Sequence, residues 1–115
     1  MSKQARHHNL DSLSQMLDND SAALERMIAV FCESTPEIVE VLNENFREED
    51  MEQLSRTAHK LKSSIDLFQI KELSTLVRQL EDIAHSGGTI ARIEPLVTRL
   101  NQVIREVIED LEERE

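Results

Sequence analysis

Residues 58–64, Ala58-His59-Lys60-Leu61-Lys62-Ser63-Ser64, hold the one grouping in the chain whose spacing suits covalent chemistry. A neutral imidazole is a competent nucleophile near pH 7, because its ordinary pKa lies close by. Attack on phosphorus needs that nitrogen in line with the leaving oxygen, and cations on the equatorial oxygens. At about 100° per residue, with His59 set at zero, Leu54, Leu61, Ile65 and Phe68 fall at roughly 180–240°. His59 then points to solvent. Glu52, Ser55, Arg56, Lys62, Ser63 and Asp66 come within about 60° of it. Lys62 at i+3 and Ser63 at i+4 are its neighbours one turn on. An exposed position is what a donor docking from another macromolecule requires. Lys60 sits to the flank.

The elements around this segment are helical. Leu24, Ile28, Phe31, Ile38 and Leu42 keep a three-four spacing, with Thr35 filling the missing step. Pro36 interrupts the run, and the unbroken apolar phase favours one kinked helix over two that abut. Arg47-Glu48-Glu49-Asp50 is a polar break. Leu54, Ala58, Leu61, Ile65 and Phe68 form the next stripe. Leu73, Leu76, Leu80 and Ile83 form another, ending near Gly87-Gly88. Ile90, Ile93, Val97, Leu100, Ile104, Val107 and Leu111 form the last, its start left open by about a turn at Pro95. A shorter stripe, Leu10, Leu13 and Leu17, precedes Asp18-Asn19-Asp20-Ser21, a set of turn and cap residues. Residues 1–9 are polar and expected to be a flexible tail. The expected fold is all-α: an antiparallel up-down four-helix bundle over residues 10–115, with an additional short N-terminal helix.

Composition narrows the function. The chain has 115 residues, enough for one core, and a formal net charge of -10. That charge argues against nucleic acid, which is bound by neutralising phosphates, and against an anionic membrane surface. Cys32 is the only cysteine, so an intrachain disulfide is impossible. Its place in an apolar stripe predicts a buried, inert thiol. No apolar run is long enough to span a bilayer, and the N-terminus carries no signal-peptide segment, so a cytoplasmic location is expected. Glycine-rich phosphate loops, His-Glu-x-x-His and nucleophile elbows are all missing. His85, near a helix C-terminus, suits the macrodipole, and His7 and His8 lack a third metal ligand. The core stripes carry no carboxylates, which argues against a metal or cofactor bundle.

The order Ala-His-x-Leu-Lys-Ser, an apolar continuation, Leu73 and then Leu80-Glu81 resembles the signature of histidine-containing phosphotransfer (HPt) domains. The resemblance extends from about Leu10 to Leu111. It takes in the long upstream helix with Phe31 and a Pro-Glu step, the acidic break at Asp50, and two helices after the histidine. It implies a four-helix bundle with the phosphorylatable histidine exposed midway along one helix. It implies transfer between aspartate-bearing receiver domains of a hybrid histidine kinase or a response regulator, without autonomous kinase activity. No cofactor of its own is implied, since the Mg²⁺ belongs to the receiver. His59 would be the phosphoacceptor, and Lys62 matches the family lysine that helps hold phosphoryl oxygens. Glu81 falls where the family often places Glu or Gln close to the site.

Ser63 and Gln69 stand where the family usually has glycines. Serine is small enough for a receiver to approach, and its hydroxyl can donate to a phosphoryl oxygen. Gln69 bears on local helix geometry. Ile70 either extends an exposed apolar docking patch beside His59 or turns inward past a helix end near Phe68. An HPt-like module that binds receivers without transferring phosphate is the alternative function. A monomer is expected, although the last stripe also suits a dimer.

Overall fold

The computed structural model describes residue 15, residues 17–68 and residues 70–113. The predicted tail over 1–9, the short helix on Leu10 and Leu13, and Gln69 lie outside the described residues. Four helices follow one another: α1 Ser21–Arg47, α2 Met51–Leu67, α3 Lys71–His85 and α4 Ile90–Glu113. Each packs on its sequence neighbour, and α4 closes the ring against α1. Connections of three or four residues leave no room for anything but reversal of direction. The architecture is the expected all-α up-down bundle, without a strand among the described residues.

Local chemistry sets the ends. Asp20 accepts hydrogen bonds from the backbone N–H of Ala22 (3.0 Å) and Ala23 (3.1 Å), capping α1. Asp50 caps α2 through the Gln53 N–H at 3.1 Å. Glycine ends α3: Gly87 takes φ +77°, and the Gly88 N–H returns to the Ile83 carbonyl at 2.8 Å. The end of α1 has the same form, with the Asp50 N–H on the Asn45 carbonyl at 3.0 Å. There the left-handed position is Glu49, at φ 55°. A side chain in that conformation costs about 1–2 kcal/mol, so Glu49→Gly is expected to stabilise the fold by about 0.5–1 kcal/mol. A rise of a few degrees in the thermal midpoint checks it.

The core runs the length of the bundle. Leu42, Leu54, Leu61, Ile65, Leu73, Leu80, Ile93 and Leu100 are fully buried. Phe31 and Phe68 meet at 4.6 Å between ring centroids. On α1 the buried stripe passes through Ile28, Phe31, Thr35, Val39 and Leu42, with Ile38 half-buried on its flank. On α3, Ala84 is buried in place of Ile83. A one-residue shift of this kind is a 100° turn of phase, which a stripe with apolar residues at both positions does not resolve.

Pro36 lies inside a single helix, the alternative that the continuous phase favours over two abutting helices. Pro95 lies inside α4, which begins five residues earlier at Ile90. Cys32 is half-buried, a correction to the full burial predicted for it. The carboxylate-free core needs one correction too, because Asp110 of α4 is buried. Polar cross-links fix the register of the bundle. Asn43 of α1 and Asn101 of α4 exchange reciprocal amide hydrogen bonds of 2.9 Å. Thr57 and Asn45 hydrogen-bond at 2.7 Å beneath the α1–α2 surface. Arg99 of α4 grips Glu72 of α3 with two donors at 2.6 and 3.0 Å, which raises its already high pKa.

Candidate functional site

His59 stands at the middle of α2, between anchors that hold the helix backbone. Ala58 on one side and Leu61 on the other are completely buried. The same burial orients the opposite face outward, and the His59 side chain is 69% exposed. Across the groove α3 presents Glu81, whose neighbour Leu80 is sealed in the core. Glu81 Oε1 lies 3.0 Å from His59 Nδ1. An ionised carboxylate only accepts, so this contact puts a proton on Nδ1, and in the neutral ring the lone pair is then on Nε2. Nε2 makes no hydrogen bond to a described residue and faces solvent.

One turn further along α2, Lys62 is half-buried and Ser63 exposed. Lys62 enters no ion pair among the described residues. Two turns from His59, Asp66 accepts a 2.7 Å hydrogen bond from the Ser74 hydroxyl of α3. Asp66 belongs to the predicted polar face, but its partner was invisible in the sequence. The register of two separately predicted helices had to be known first. Arg56, on the same face, pairs with Glu52 at 2.8 Å along its own helix. Lys60 is exposed on the α1 side.

Ile70 settles the choice left open between docking patch and core. The helix stops at Leu67, and Ile70 is 0% exposed, so it contributes nothing to the surface beside His59. His85 is the last residue of α3, at the helix C-terminus where the sequence places it, and is exposed. Among the described residues no three His, Cys, Asp or Glu side chains are arranged to hold a metal ion.

The Hpt domain family matches this chain over residues 26–114. The chain belongs to the Hpt domain family. No match was found among curated proteins or among solved structures. The matched span begins inside α1 and contains α2 and α3 whole, so His59, Lys62, Ser63 and Glu81 all fall within it. Histidine phosphotransfer is thus the general chemistry to which this Hpt domain belongs. No helix among its described residues is long and apolar enough to cross a membrane.

Proposed function

We propose that this Hpt domain carries a phosphoryl group on Nε2 of His59 and passes it between the aspartates of receiver domains in a two-component phosphorelay. The supporting observation is the His59–Glu81 contact at 3.0 Å beneath a largely exposed ring. It presents the nucleophilic nitrogen outward and holds the proton on the other.

In the forward step the Nε2 lone pair attacks the phosphorus of a receiver's aspartyl phosphate. The Nε2–P bond forms, the P–O bond breaks, and the electron pair leaves on the aspartate carboxylate. No proton needs to move. The ring becomes a phosphoimidazolium that keeps its Nδ1 proton, and the Glu81 carboxylate stabilises the positive charge that develops there. Lys62 supplies a cation to the phosphoryl oxygens from one turn away. Ser63 leaves room for the receiver and offers a hydroxyl. Transfer to a second receiver reverses these steps. The activating Mg²⁺ is the receiver's, and the Hpt domain works as a cytoplasmic monomer without a cofactor.

The test is transfer from a labelled, phosphorylated receiver domain. Acid-labile, base-stable label on the protein supports the carrier reading. Binding to receivers without any label would establish the non-transferring module instead. Glu81→Ala is expected to slow labelling about tenfold, since a charge-assisted hydrogen bond and a fixed tautomer are lost. Glu81→Gln keeps an acceptor for Nδ1 and is expected to lose about threefold. Label uptake over time checks both, and ¹⁵N chemical shifts of His59 report the tautomer directly.

A further inference from the structure

Two cross-helix hydrogen bonds define how α2 and α3 line up. His59 meets Glu81, and Asp66 meets Ser74. In both pairs the helices run antiparallel in one register, so the positions midway between them also face each other. Those positions are Lys62 and Ser63 on α2 and Val77 and Arg78 on α3; Val77 is buried in the core, which leaves Arg78 as the exposed one of its pair, across from Lys62. Lys62 is three residues beyond His59, and Arg78 is three residues before Glu81, each about 4.5 Å along its helix axis. Arg78 lies roughly 60° around α3 from Glu81, on the solvent side away from buried Leu80 and Val77. It is exposed and enters no ion pair among the described residues.

We infer that Arg78 is a second phosphoryl-binding cation of the site, acting with Lys62 from the opposite wall of the groove. This rests on the carrier role proposed for His59. The arriving charge favours more than one cation. A phosphoryl group arriving at Nε2 brings about two negative charges, and it does so beside the Glu81 carboxylate. Lys62 offsets one of these charges as a point charge from its own helix. Arg78 adds a planar guanidinium, whose paired N–H donors match two phosphoryl oxygens at once. Its exposure gives the side chain freedom to swing over the ring, which the exposed Nε2 needs from above.

Phosphoramidate separates this role from receiver docking, because it is a small donor with no docking surface. Nε2 attacks its phosphorus, the Nε2–P bond forms, the P–N bond breaks and ammonia leaves. Phosphohistidine is followed by ³¹P NMR. Arg78→Gln is expected to accumulate it about three- to tenfold more slowly than the wild type, the size of one lost charge-assisted contact at a partly solvated site. Arg78→Lys should recover at least half of the loss, and Lys62→Gln combined with Arg78→Gln should be slower than either alone. An Arg78→Gln rate within twofold of the wild type overturns the inference. A deficit seen only with a phosphorylated receiver as donor also overturns it, and makes Arg78 a docking residue. Failure of the wild type itself to form phosphohistidine at His59 removes the carrier reading, and the role of Arg78 with it.

Discussion

His59→Gln is expected to take no detectable label from a phosphorylated receiver while keeping its fold and its affinity for that receiver. The expected loss is complete, because the ring nitrogen that takes the phosphoryl group is removed. A glutamine amide nitrogen has no available lone pair, and the other described histidine, His85, sits on α3 one turn beyond Glu81 rather than in the place of the lost ring. Stability should barely change. The His59 side chain is 69% exposed, and its one hydrogen bond is to a carboxylate that water can serve instead. Glutamine also reaches roughly as far as an imidazole and can donate to Glu81. Labelling by autoradiography, circular dichroism and receiver binding make the measurement complete. Label that persisted in the variant at the wild-type rate would show that the carrier is another residue.

Ile70→Ala is expected to cost about 2–4 kcal/mol, although Ile70 sits in a three-residue connection between helices. The side chain is 0% exposed and belongs to the same core as Leu73 and Phe68. It precedes α3 without capping it, so its contribution is packing. Deleting three carbon atoms there leaves a cavity at the tip of the hairpin that carries His59 on one arm and Glu81 on the other. A loss of this size is a large share of the total stability of a small domain. Urea unfolding should show a lower midpoint with an unchanged slope. If Ile70 belonged instead to an exposed docking patch, the substitution would leave the midpoint unchanged and weaken receiver binding.

The carboxylate partners of the site illustrate how far spacing alone can reach. Asp66 was visible on the His59 face from its position seven residues on, because neighbours on one helix share a fixed rotation. Glu81 was placed near the site only through the family resemblance. Ser74 and Arg78 had no signal at all. Each lies on a helix whose stripe fixes which residues go inward, and that stripe says nothing about sliding along a neighbour.

What the sequence determined by itself was the set of four helices, their inward faces and the outward direction of His59. These follow from the 3.6-residue period, the capping aspartates Asp20 and Asp50, and the glycine stop at Gly87. Local rules decide them, within a few residues in the chain. The tertiary structure alone decided the register of α3 against α2, and with it the 3.0 Å contact that leaves Nε2 free. It also decided that Ile70 turns inward, that Val39 outranks Ile38, and that one carboxylate, Asp110, enters the core. Each of these depends on how side chains from different helices share one volume, and no single helix contains that information.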